Sequence, residues 1–165
     1  MNKKVLFITQ AAVIAALYVV LTYFISAFNL ASGAIQFRIS EALTILPVFT
    51  PAAIPGLFLG CLISNTLIGS VIFDIIFGSA ATLLGAVGTR LLREHPFLAP
   101  IPPVLANAFI VPIVLKYAYG LGDAYWYLVL TVGAGELLSC YLLGLVLYFA
   151  LKPIRGIFRT EDETR

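Results

Sequence analysis

Residues 35–49, IQFRISEALTILPVF, set an arginine and a glutamate three positions apart inside an otherwise apolar run. In a membrane, a charge at bilayer depth costs about 2.5–3.5 kcal/mol on insertion scales, so it has to pair, face a wet cavity or sit near an interface. The flanking sequence shows which solvent applies. Of the 165 residues, 61% are hydrophobic and 11% are charged, with a mean hydropathy of +1.04. Soluble domains lie nearer ~45–50% apolar and ~25% charged. The composition therefore excludes a soluble enzyme, a nucleic-acid binder and a disordered tail, and makes 35–49 part of a membrane protein.

Outward from that run, breakers divide the chain. A spanning helix needs about 20 apolar residues, so the length accommodates six. The first is expected over 5–28 and the second over 35–49, ending in Thr50-Pro51. The third runs over 55–73, and a fourth follows Asp74 and reaches Leu92. Pro96, Pro100, Pro102 and Pro103 precede a fifth, which ends near Tyr119-Gly120, and the sixth covers 126–151. The expected fold is an all-α bundle of six transmembrane helices forming one domain over 1–165.

Six spans put both termini on one side. That side collects Lys3, Lys4, Arg90, Arg93, Lys152, Arg155, Arg159 and Arg165, eight of the ten basic residues. The positive-inside rule then predicts cytoplasmic termini in a plasma membrane. The long apolar run after Lys3-Lys4 exceeds a signal peptide's hydrophobic region and reads as a retained helix.

Fourteen of the 18 charges mark the ends and loops, which leaves Arg38, Glu41, Asp74 and Glu136 embedded in apolar sequence. In this topology all four, with Asn107, converge on one outward-opening pocket. Arg38 and Glu41 share a helix face at a spacing of three; they either neutralise each other or line the pocket. Asp74 suits an N-cap as well as a ligand contact. Asn107 suits helix-to-helix hydrogen bonding as well as recognition. Glu136 follows Gly133 and Gly135 at mid-depth, where a purely structural role is hardest to find for it.

Three carboxylates against one guanidinium give such a pocket a formal charge of −2. It suits a ligand rich in hydrogen-bond donors or carrying positive charge, because unpaired buried carboxylates are expensive. A carboxylate accepts two parallel N–H bonds, the pattern on the donor edge of a guanine-like ring. Phe37, Phe73, Phe77, Tyr125 and Trp126 stand near the outer side, suited to ring stacking or to the membrane interface. Cys61 and Cys140 lack metal-site spacing and read as small core residues, and His95 stands in a basic loop, so no metal or cofactor is expected.

The stretches FRISEALTILP (37–47), FDIIFGSAATLLGA (73–86), LANAFIVP (105–112) and GAGELLSCYLLG (133–144), with the alanine strip at 11, 12, 15 and 16, resemble the queuosine-precursor transporter family. Its members are substrate-binding S components of energy-coupling factor (ECF) transporters. The resemblance implies a chain that is not an enzyme and that captures a 7-deazaguanine compound from outside. It implies partners too: a transmembrane coupling subunit and two cytoplasmic ATPases. By that analogy Ala11 and Ala15 face the coupling subunit and residues 29–34 form a lid. From the residues' own chemistry, Glu41, Asp74 and Glu136 are expected to read the ligand's donors, Asn107 to contact a ring edge and Arg38 to position a neighbouring carboxylate. No GxxxxGK[ST] sequence occurs, so an ATP-driven step has to come from a partner. The alternative from residues alone is a stand-alone ion-coupled carrier with the carboxylates as ion sites. An intramembrane acid–base enzyme lacks a visible nucleophile and base.

Overall fold

The computed structural model describes residues 2–27 and 38–158, and these are helical with no strand. The expected 29–34 lid, Phe37, Arg159 and Arg165 lie outside the described residues. Helix α1 spans Lys3–Ser26 and starts under an Asn2 cap, whose side chain accepts from the Lys4 N–H at 3.0 Å. Its buried residues, Ile14, Ala15, Tyr18, Thr22 and Ile25, recur every three or four positions. That spacing makes one stripe toward the protein and leaves the rest of the helix apolar and exposed, as lipid contact requires.

The run that opened the sequence forms a 3-10 helix, η1, over Ile39–Val48. Every residue from Ser40 to Pro47 is buried. At about 2.0 Å rise per residue, the tighter helix covers ~20 Å in ten residues. Pro47 lacks an N–H, and Ile39, Thr44, Ile45 and Val48 are β-branched and poor α-formers. Thr44 ties its hydroxyl to the Glu41 carbonyl at 2.6 Å, three residues back. The element threads the bundle's centre, touching α1 and helices that follow it in the chain.

Around it pack α2 (Ala53–Leu67), α3 (Ile72–Leu91), α4 (Ile101–Tyr117) and a continuous rod. The rod consists of α5 (Tyr125–Glu136), a π-helical segment (Leu137–Leu143), α6 (Gly144–Leu151) and a terminal 3-10 segment kinked at Ile154 (Lys152–Phe158). Lys3–Ser26, Ile72–Leu91 and Tyr125–Phe158 are long and apolar enough to cross a membrane, while Ile39–Val48, Ala53–Leu67 and Ile101–Tyr117 are shorter apolar helices.

The breakers located the segments better than their ends. The expected third span divides: α2 stops at Leu67, and Gly69, at a φ of 75°, turns the chain toward α3. Asp74 then falls inside the first turn of α3 and does not cap it; the cap position is Val71, without a side-chain bond. Two seams set the helix spacing. A Cβ on Gly60 would lie 2.8 Å from the Tyr18 Cβ, and one on Gly85 would lie 2.6 Å from the Pro103 Cα. These contacts let α2 approach α1, and α3 approach α4, more closely than any side chain would allow. Gly133 has no such role, since a Cβ there would meet the Ala108 Cβ at an ordinary 3.6 Å.

Candidate functional site

Polar side chains in the bundle's interior fall into two adjoining layers. The inner layer starts from Glu41 on η1, which is fully buried. The Tyr18 hydroxyl of α1 donates to Glu41 Oε1, and Glu41 Oε2 has no hydrogen-bond partner. Across the core stands Glu136, the last residue of α5, 4% exposed. Cys140 donates its thiol to Glu136 Oε2 at 3.0 Å. Asn107 of α4, 3% exposed, interacts through its side chain with both carboxylates.

Ligand atoms of Glu41, Glu136 and Cys140 lie within 4.8 Å of one another. The trio offers two carboxylates and a thiol to a cation, but Tyr18 and Cys140 already donate to those carboxylates. Because the rod is π-helical just beyond Glu136, Ser139 and Cys140 both turn inward, and the Ser139 hydroxyl is buried without a partner. Single π turns recur at functional sites for this reason: the wider turn re-aims side chains.

The outer layer lies about one 3-10 turn farther along η1. Arg38, 7% exposed, caps η1 and donates from Nη2 to Asn65 Oδ1 at 3.2 Å. Asn65 in turn donates to the Asp74 backbone carbonyl at 3.5 Å. The Tyr119 hydroxyl donates to Asp74 Oδ2 at 3.3 Å, joining the turn after α4 to α3. Burial, and next the Asp74 charge, push the Tyr119 phenol above its ordinary value, which keeps it a donor. Thr22 donates to Ser40 at 2.8 Å in the same region.

All five pocket residues expected from the sequence are buried, in two adjoining layers across which the Arg38 charge acts on Glu41. Glu41, Asn107 and Glu136 converge, while Arg38 and Asp74 belong to the neighbouring layer and are bridged by Asn65. Nothing in the sequence singled out Tyr18, Asn65, Ser139 or Tyr119, and Cys140, read as core filling, touches Glu136. The stacking aromatics stand elsewhere: Phe73 and Phe77 pair with each other at 6.5 Å and are 55% and 47% exposed, and Trp126 is 67% exposed. Phe73 and Phe77 line a peripheral apolar groove with Tyr117. Ala11 and Ala15 stand against Gly56 and Gly60 of α2, and the alanines of the strip that stand exposed are Ala12 and Ala16.

Residues 8–153 match the family model described as QueT transporter. A relative from Lactococcus lactis subsp. cremoris (strain MG1363), described as queuosine precursor transporter QueT, is 39% identical over 77 residues. The aligned stretch covers 47% of this chain and 45% of that relative, so the match spans about half of each. No solved structure matches the chain. With a family match over most of its length and its apolar helices, the chain is a membrane protein that belongs to the QueT transporter family.

Proposed function

We propose that the chain is the substrate-capturing S component of an ECF-type importer for a queuosine precursor, a 7-deazaguanine such as the aminomethyl derivative or queuine. The observation that carries this reading is the unpartnered Glu41 Oε2, buried beside Glu136 with Asn107 interacting with both. Two close carboxylates repel each other and demand donors. A deazaguanine edge brings a ring N–H and an exocyclic amine, which a carboxylate accepts in parallel, and an aminomethyl group brings a cation for the second carboxylate. Asn107 both donates and accepts, so it reads a ring edge that does the same. Arg38 and Asp74 frame the neighbouring end of the site.

In this reading six segments cross the membrane, η1 among them, and both termini are cytoplasmic. The basic residues at the end holding Lys3, Lys4, Arg90, Arg93, Lys152 and Arg155 support that orientation. The chain is then a binding subunit, not an enzyme. A transmembrane coupling subunit and two ATPases supply the driving force, and the exposed alanines of α1, Ala12 and Ala16, offer the surface for the former.

Native mass spectrometry of the purified protein tests the substrate class. A deazaguanine carried through purification supports the reading, and thiamine or riboflavin in its place contradicts it. Uptake by the chain alone in proteoliposomes under an ion gradient would instead establish a carrier.

A further inference from the structure

The end of the bundle farthest from Asp74 holds a cavity of about 450 Å³. Four cations line it: Arg90 and Arg93 from the end of α3 and the turn beyond, and Lys152 and Arg155 from the terminal 3-10 turn of the rod. Phe49 and Tyr148 form its apolar wall and stack at 5.3 Å. None of the described residues lining it is acidic.

The cations come from two distant parts of the chain, and Arg90 is held in place. Its Nη1 donates to the Pro47 carbonyl at 3.0 Å and the Val48 carbonyl at 3.4 Å, which fixes the guanidinium against the end of η1. Arg93, Lys152 and Arg155 are exposed around it. Arg93, Lys152 and Arg155 bring three exposed like charges to one concavity beside the anchored Arg90, a setting that favours an anion, and guanidinium forks match the oxygens of a phosphate.

Depth identifies the anion's source. Helices α3 and α6 end at Leu91 and Leu151, so Arg90 and Lys152 mark the level at which apolar helix gives way to polar chain. Beside them Leu91, Phe97 and Phe149 are 78%, 57% and 50% exposed, an apolar flank next to the cationic mouth. A free anion has no use for that flank, whereas a phospholipid lays its acyl chains there with its phosphate among the cations. Basic pockets between transmembrane helices recognise anionic headgroups in this way.

We propose that this cleft binds the phosphodiester headgroup of an anionic phospholipid. Its occupant would clasp α3, the rod's terminal turn and the end of η1 together, at the opposite end of η1 from Arg38.

The test is native mass spectrometry of the full chain with matched-chain phosphatidylglycerol or phosphatidylcholine, for wild type and for the triple variant Arg93→Gln, Lys152→Gln, Arg155→Gln. The expected result is one retained phosphatidylglycerol on wild type, bound about tenfold more weakly by the variant, and no such retention of phosphatidylcholine. Equal retention by the two proteins overturns the proposal, as does equal retention of the two lipids. Displacement of phosphatidylglycerol by millimolar inorganic phosphate would assign the cleft to a free anion instead. If the triple variant does not fold, the single surface change Arg155→Glu carries the same comparison.

Discussion

The two polar layers inside the bundle are made of similar residues and differ in how completely they are bonded. In the outer layer Arg38 leans on Asn65, Asn65 on the Asp74 backbone, and the Asp74 carboxylate receives Tyr119. Its charges are opposite in sign, and its bonds run among η1, α2, α3 and the turn after α4. The inner layer brings Glu41 and Glu136 together with no cation bonded to either carboxylate among the described contacts, and leaves Glu41 Oε2 and Ser139 Oγ without partners. A buried group left unpaired costs about 1–3 kcal/mol, more when charged. The outer layer leaves one such atom, Arg38 Nε, and the inner layer two, so the deficit is larger in the layer that holds the carboxylate pair. Such a deficit is what a donor-rich ligand relieves, and in the proposed reading the inner layer receives the substrate's donors while Arg38 and Asp74 frame the neighbouring end.

That distinction can be broken by substitution, and the largest effect belongs to the inner layer. Replacing Glu136→Gln exchanges a two-oxygen carboxyl acceptor for an amide with one, so calorimetry should show affinity for a 7-deazaguanine precursor falling by more than about tenfold with expression intact. Unchanged affinity would remove Glu136 from the site. Tyr18→Phe deletes a donor that positions Glu41 without touching the carboxylate itself, so titration should show a smaller loss, about three- to tenfold. In the outer layer the balance should reverse. Asn65→Leu leaves the Arg38 guanidinium without its partner and should lower the thermal unfolding midpoint by several degrees while changing affinity less than Glu136→Gln does. The smallest effect is expected for Tyr119→Phe, whose partly exposed bond to Asp74 contributes about 0.5–1.5 kcal/mol; a melting curve should move slightly and a binding isotherm hardly at all.

The sequence revealed the segments because prolines, glycines and polar breaks punctuate apolar runs. It did not reveal that 35–49 would supply a 3-10 helix. Three and 3.6 residues per turn are distinguished by which positions stay polar, and η1 is buried on every side, so no polar face records its period. The close seams have a plain signature in hindsight: Gly56 and Gly60 are four apart on α2, and Gly85 and Gly88 stand opposite Pro103 and Pro102. Charges embedded in apolar sequence are conspicuous, so Arg38, Glu41, Asp74 and Glu136 could be picked out from the chain alone. Which of them meet depends on helix rotation. Asp74 turns toward Tyr119 because α3 starts at Ile72, two residues before it, and the acid lies in the first turn instead of ahead of the helix. Tyr18 and Cys140 were hidden for the opposite reason, since a tyrosine or cysteine in an apolar helix resembles any packing residue until its neighbour is known.

The central claim, that the Glu41–Glu136 pair receives the substrate's donors, is tested most directly by titrating aminomethyl-deazaguanine onto purified wild type and onto the double variant Glu41→Gln, Glu136→Gln in a calorimeter. The account predicts clear binding to wild type and a loss of about a hundredfold or more in the variant, with its melting temperature preserved or raised as the close pair of buried carboxyl groups is removed. Binding of equal strength by both proteins would contradict it.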